Sequence, residues 1–237
     1  KAQRPKITMA QNKTLTMNTT HAVLLINLGS PNSTSIKDVR SYLREFLMDK
    51  YVIDLPWPLR ALLIYGIILP TRPKKTAKAY QEIWTDRGSP LVATSIDQTQ
   101  LLQKQVNFPV ELAMRYGEPS IQNAITNLIK RYPLLKSIHV IPLYPHYAMS
   151  STQTVEEKVK NVIKKTKHTI KLHFQPPFYN DTDYLNALIN IIKPKLIDFD
   201  YLLFSYHGLP FRHLKKTDPT QNHCLSNNCC KTPSKAW

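Results

Sequence analysis

The residues best placed to do chemistry sit in Phe204-Ser205-Tyr206-His207-Gly208-Leu209-Pro210, where a histidine closes an apolar run and a glycine follows it. A free imidazole titrates near pH 6.5, so at neutral pH it is mostly the uncharged ring, and partial burial favours that form further. Such a ring can take up a proton or bind a borderline metal ion. The alternative is a histidine that only finishes a strand. A second segment, Pro142 to Thr152, gathers Tyr144, His146 and Tyr147 ahead of Ser150, Ser151 and Thr152. Its tyrosines offer flat faces to a conjugated ligand, and hydroxyls at a helix start favour anionic groups. The same hydroxyls would serve equally as helix caps. Arg115, in Arg115-Tyr116-Gly117-Glu118-Pro119, is a cation at a third strand end, and Arg72 falls in a basic loop after an apolar stretch ending at Pro70. Arginine clamps carboxylates with two parallel N–H groups, which suits an acidic ligand, whereas a surface arginine often contacts nothing specific.

Elements that would position these groups follow from periodicity. Apolar runs at Val23–Leu28, Val110–Tyr116, Ile138–Leu143, Ile170–Phe174 and Tyr201–Ser205 read as buried strands. Between them, Ile36, Val39, Leu43, Phe46 and Leu47 fall at helical spacing behind Ser35, and Ile121, Ala124, Ile125, Leu128 and Ile129 do so behind Ser120. Strands alternating with such helices imply an α/β fold, with a parallel sheet between helical layers. Four of the five glycines stand in Gly-x-Pro, at Gly29, Gly88, Gly117 and Gly208, and three of these directly follow a predicted strand. Glycine then proline turns a chain at the carboxyl edge of the sheet, where open α/β sheets hold ligands. No Gly-rich phosphate loop occurs, and Gly29 lacks the further glycines of a dinucleotide fingerprint, so NAD and ATP are not expected ligands.

Composition narrows the class. The chain has 237 residues, 42% of them hydrophobic, enough for one large or two modest domains. Lys plus Arg number 32 against 16 acidic residues, a formal charge of +16. That admits nucleic acid, an anionic membrane or anionic small molecules as partners. No zinc-finger spacing or RNA-binding aromatic motif accompanies the charge, so specific nucleic-acid binding is not expected. The dense basic run from Lys158 to Lys171 reads as the solvated face of an amphipathic helix. The three cysteines, Cys224, Cys229 and Cys230, come late and support no disulfide framework, which fits a reducing, cytoplasmic setting. Their spacing beside His223 matches no standard zinc pattern; free thiols are expected, and an iron–sulfur cluster is not. Residues 1–20 read as a leader or disordered extension, and Leu59–Leu69 is too short to span a bilayer but apolar enough to touch one.

Taken together, Leu24-Leu25-Ile26-Asn27-Leu28-Gly29-Ser30-Pro31, Gly88-Ser89-Pro90-Leu91, Arg115-Tyr116-Gly117-Glu118-Pro119, the Tyr144–Thr152 segment and Ser205-Tyr206-His207-Gly208-Leu209-Pro210 occur in an order and spacing that resembles the ferrochelatases. The resemblance runs from about His21 to Pro219. It implies a chelatase-like fold of two Rossmann-like domains, here an N-terminal domain over 21–173 and the start of an incomplete second over 174–237. It implies insertion of ferrous iron into protoporphyrin, with iron and porphyrin both substrates and no organic cofactor. By the same resemblance, His207 is the catalytic, iron-binding residue. Leu28, Arg72, Tyr80, Arg115 and Tyr144 line the porphyrin site, and Trp57 to Leu69 forms the lip by which porphyrin enters. The family also uses a glutamate downstream of the histidine that this sequence does not contain, so a chain ending naturally at Trp237 is expected to be unstable or inactive. A non-catalytic porphyrin- or haem-binding remnant is the alternative. The expected setting is cytoplasmic, with peripheral contact at the inner face of the membrane.

Overall fold

Ala22, Val23, Leu24, Leu25 and Ile26 are consecutive apolar residues in strand β1 (His21–Asn27), and all are buried. A strand can be apolar at successive positions only where both faces of its sheet are covered, as in parallel sheets wrapped by helices. The computed structural model, which describes residues 19–166, 168–220, 222–226 and 228–229, has that sheet. Strands β2 (Val110–Met114), β1, β3 (Ser137–Pro142) and β4 (Lys171–Phe174) lie side by side in the order 2-1-3-4, all parallel. Val23 and Leu25 of β1, with Val110, Leu112 and Met114 of β2, face Leu91, Val92 and Ile96 of α4 (Pro90–Gln105). Alternate side chains turn to the opposite face. There α5 (Ile121–Arg131) packs on β2 and β1 with Ile121, Ala124, Ile125 and Leu128 buried, and α6 (Thr154–Lys165) packs on α5. The result is the expected α/β arrangement of helices on both faces of a parallel sheet.

The chain leaves β1 for β2 on one side and then returns past β1 to β3 on the other, so the strand order reverses between β1 and β3. The carboxyl ends of strands flanking such a reversal border the ligand crevice of open α/β sheets. Here the turns after β1 and β2 interlock. Gly29 has φ +97° and Gly117 has φ +82°, both in the left-handed region that favours glycine. A Cβ on Gly29 would lie 1.8 Å from the Tyr116 carbonyl oxygen, and one on Gly117 would lie 2.7 Å from that of Ser30. The Arg115 N–H donates to the Asn27 carbonyl at 2.8 Å and the Tyr116 N–H to that of Leu28 at 2.9 Å, extending the pairing beyond both strands.

Helix α1 (Ile36–Leu47) starts as its sequence dictates, with Ser35 Oγ accepting the Asp38 N–H at 3.1 Å. Ser120 does the same for α5, accepting from the Asn123 N–H at 3.3 Å. The apolar stretch behaves differently from expectation. The helix that carries it does not end at Pro70. Helix α2 (Trp57–Ala61) continues through a π-helical segment (Leu62–Ile68) into α3 (Leu69–Ile83), and Arg72 is therefore helical rather than in a loop. Pro70 is tolerated because it falls at the start of α3, where π-helical pairing gives way to α-helical pairing, and the Thr71 hydroxyl donates to the Ile67 carbonyl at 2.6 Å. No helix among the described residues is long and apolar enough to cross a membrane. Ser150, Ser151 and Thr152 also differ from expectation: they form a π-helical turn (Met149–Gln153) running into α6, and no side chain caps that helix.

The described residues form two compact units. The first holds the sheet and comprises 19–143 and 153–175; the second comprises 144–152 and 176–229, so the segment after β3 belongs with the later residues. In the second unit, Asp181 caps α7 (Thr182–Ile192) by accepting the N–H groups of Asp183 and Tyr184 at 3.0 and 3.1 Å, and α8 (Phe211–Thr217) follows Pro210. Tyr201–Ser205 is not a strand, contrary to its apolar pattern. No neighbour pairs with it among the described residues, and Tyr201 and Leu203 are 92% and 90% exposed. A parallel strand exists only through its hydrogen-bonded neighbours, so propensity alone leaves the segment extended. The expected leader falls almost wholly in residues 1–18, outside the described residues.

The interlocked turns make a direct prediction. Gly29→Ala should cost about 3 kcal/mol or more through backbone strain and collision with a carbonyl. Gly208→Ala, where an added Cβ meets nothing within 4 Å among the described residues, should leave the urea midpoint unchanged or slightly raised. Equal midpoints for the two variants would contradict the interlock.

Candidate functional site

In the first unit the carboxyl edge of the sheet is organised by one buried carboxylate. Asp49, just beyond α1, accepts on Oδ2 from the Arg115 guanidinium, the Thr154 hydroxyl and, at 2.9 Å, the Tyr116 hydroxyl. Its Oδ1 accepts the Tyr51 N–H at 2.8 Å. Arg115 Nε donates to Thr154 Oγ1 at 2.7 Å, and the guanidinium lies 4.3 Å from the centre of the Tyr116 ring. Arg115 and Asp49 side chains are only 11% and 5% exposed, so this is a buried ion pair whose remaining hydrogen-bond capacity is largely satisfied. Burial pushes the Tyr116 phenol far above its ordinary range, with Arg115 opposing and the Asp49 carboxylate adding to the rise, so the hydroxyl stays a donor. Neither Asp49 nor Thr154 was singled out by sequence, since neither sits in a recognisable pattern. Their effect on Arg115 is large. With Nε and one N–H of Nη2 committed, the guanidinium keeps two N–H groups on Nη1, one on Nη2 and a positive charge.

Leu28 is half-buried directly after β1, its N–H turned back onto Asn27 Oδ1 at 2.8 Å, and so lies on the same edge as Arg115. Tyr80, half-buried on α3, belongs to an aromatic chain: Trp84, Tyr80, Tyr42, Phe46 and Tyr116 follow one another with ring centres 6.1, 6.4, 5.9 and 5.1 Å apart. Burial raises the Tyr80 phenol, opposed by a hydrogen bond with Tyr42. The chain of rings ties Tyr80 to the Arg115–Asp49 cluster through Tyr116. Arg72 is exposed on α3.

In the second unit, His207 is exposed and follows the unpaired 201–205 segment rather than a strand. Its Nδ1 lies 2.7 Å from the Gly208 carbonyl oxygen. A carbonyl only accepts, so Nδ1 carries the proton, and in the neutral ring the lone pair is on Nε2. Tyr206, the preceding residue, meets His146 edge-on at 6.3 Å, and His146 stacks on Tyr179 at 5.0 Å. This joins the His207 segment to the segment carrying Tyr144, which is half-buried. Among the described residues no three His, Cys, Asp or Glu side chains gather as a metal-ligand set.

The order of these motifs is matched by known proteins. The ferrochelatase family model matches residues 20–231. This chain belongs to the ferrochelatase family. It is 53% identical over 222 residues to a ferrochelatase of Pseudomonas fluorescens (strain Pf0-1), covering 92% of this chain and 64% of that protein. It is 50% identical over 216 residues to one from Pseudomonas syringae pv. syringae (strain B728a), covering 90% and 63%. The chain thus spans just under two thirds of the length of these relatives. Leu28, Arg72, Tyr80, Arg115, Tyr144 and His207 all lie inside the ferrochelatase match.

The cysteine segment of this chain has its own organiser. Asp218, 2% exposed, accepts from the N–H groups of Thr220, His223 and Cys224 at 2.9, 2.8 and 2.8 Å and from the Thr220 hydroxyl at 2.7 Å. Burial alone would raise its carboxyl; these donors, the Cys224 N–H first among them, hold it well below the usual carboxylate range. Cys224 is buried and Cys229 half-buried; Cys230 lies outside the described residues.

Two outcomes follow. Asp49→Ala leaves a guanidinium buried without its counter-charge and should cost about 3 kcal/mol in urea unfolding, whereas Thr154→Ala, losing single hydrogen bonds, should cost about 1 kcal/mol. Asp218→Asn should speed alkylation of Cys224, read by peptide mass mapping. The same opening should occur in the native chain on acidification: a carboxyl depressed on folding contributes stability above its unfolded pKa and loses it as pH falls towards the folded one. Cys224 reactivity that ignores both changes would show that Asp218 does not hold the loop.

Proposed function

We propose that the protein containing this chain inserts ferrous iron into protoporphyrin to form protohaem. Family membership at about 50% identity over the motif-bearing residues supports this reading over a non-catalytic remnant. The observation that carries it is the tautomer of His207, with Nδ1–H spent on the Gly208 carbonyl and Nε2 left as base and donor.

The chemistry makes clear why such a nitrogen is needed. Iron enters the macrocycle only as two pyrrole N–H protons leave, so each turnover converts a free-base porphyrin and Fe²⁺ into a metalloporphyrin and two protons. His207 Nε2 accepts a pyrrole proton or holds the incoming iron, and the Gly208 carbonyl steadies the ring in either role because Nδ1–H stays a donor throughout. In the first unit, Leu28 and Tyr80 offer apolar and aromatic surface to a macrocycle, Arg115 its remaining N–H groups and a positive charge to acidic groups, and Arg72 a second cation at the surface; in the second unit, Tyr144 offers an aromatic face. Holding the ring bent would expose its nitrogens, a use of binding energy for distortion. Trp57, Leu59, Leu62 and Ile67, 65%, 56%, 69% and 59% exposed, give a face for peripheral contact with a membrane from the cytoplasmic side.

In the complete protein, His207→Ala should reduce zinc insertion into protoporphyrin by about a hundredfold or more, while protoporphyrin fluorescence quenching on binding persists. Insertion retained within a few-fold would remove His207 from the chemistry. Insertion absent from the unmodified protein, with porphyrin still bound, would favour the remnant.

A further inference from the structure

An open cavity of about 560 Å³ in the first unit lies beside the Asp49 cluster. Cations reach it from separate segments: Arg44 from α1, Lys50 from the loop beyond it, Arg60 from α2 and Lys158 from α6. The acids that line it are already engaged. Asp49 holds Arg115, and Glu45 accepts the Gly117 N–H at 3.0 Å. Among the described residues, the side chains of Arg44 and Lys158 make no hydrogen bond or ion pair. Arg60 is only 7% exposed; its Nη1 donates to the Ile53 and Leu55 carbonyls at 3.2 and 2.8 Å, and its buried Nε has no partner. A buried guanidinium with an unmatched N–H is costly, and four like charges around one cavity repel each other. Neither cost helps the chain fold.

We propose that this cavity binds a phosphate group. A flat carboxylate is saturated by one guanidinium, whereas donors converging from several directions suit a dianion with acceptor oxygens on every side. The group could arrive as free inorganic phosphate or on a phospholipid headgroup, since exposed Trp57, Leu59 and Leu62 share a helical run with Arg60. The site makes no use of His207 or of iron, so its failure and that of metal insertion are separate results.

The test uses the whole chain in two arms: calorimetric titration with inorganic phosphate, and flotation with phosphatidylcholine vesicles with and without phosphatidic acid. Arg44→Gln/Lys158→Gln removes exposed and half-buried cations and spares the buried Arg60 and Arg115. Lys104→Gln/Lys130→Gln, on exposed positions of α4 and α5, removes equal charge elsewhere. The site variant should weaken binding about tenfold or more, and the charge control should not. Response in the phosphate arm identifies the free anion; response confined to phosphatidic acid vesicles identifies the headgroup. No binding in either arm, or equal loss in both variants, overturns the proposal.

Discussion

A single carboxylate oxygen fixes the carboxyl edge of the sheet. Asp49 Oδ2 receives hydrogen bonds from Arg115, Tyr116 and Thr154, residues 66, 67 and 105 positions away in sequence. Two of these donors leave the exit of β2 and the third starts α6, while Asp49 itself follows the end of α1, so three parts of the fold meet at one oxygen. A charge buried this deeply survives only with a counter-charge and a nearly complete set of donors, so these three segments must arrive together or the carboxylate is stranded. Beside it, Gly29 and Gly117 are fixed as glycines, since the exits of β1 and β2 approach each other more nearly than any Cβ allows. Leu28 and Arg115 are held side by side as a consequence. Rigidity of this kind is what a site needs if it is to hold a macrocycle in a strained shape.

The first unit was largely legible in the sequence because its signals are local or face a covered sheet. Ser35 and Ser120 announce their helices through bonds made within a single turn. The continuous apolar run of β1 announces a central strand because nothing else buries successive residues. Arg115 was legible as a cation at a strand end but not as a committed one, since its partner lies 66 residues upstream in a loop with no motif. The helical run from Trp57 to Ile83 was misread for the opposite reason. Pro70 is a strong local breaker, and only the switch from π- to α-helical pairing makes room for it.

Tyr201–Ser205 shows where local signals fail outright. Its residues have the composition of a buried strand, yet four of its large apolar side chains remain exposed, because a strand is a property of a pair and not of a segment. Helix α7 makes the same point: its sequence is strongly apolar, yet none of its residues is buried. The hydrophobic pattern here records burial that the described residues do not themselves provide. Family membership and the span of the relatives, of which this chain covers just under two thirds, accord with that pattern.

The glycines separate two uses of one residue type. At 29 and 117 the missing Cβ is consumed by the protein, because a neighbouring carbonyl occupies the space. At 208 nothing among the described residues comes within 4 Å of where a Cβ would be, and the backbone has no need of left-handed freedom. Glycine is nonetheless expensive there, since it adds entropy to the unfolded chain without return from packing. Its carbonyl, however, is the acceptor that sets the His207 tautomer, and its bareness leaves the approach to the imidazole open. A flat ligand passing close over residue 208 to reach Nε2 would use both properties. Among the described residues no side-chain packing calls for a glycine at 208, whereas the reaction proposed for its neighbour would use one.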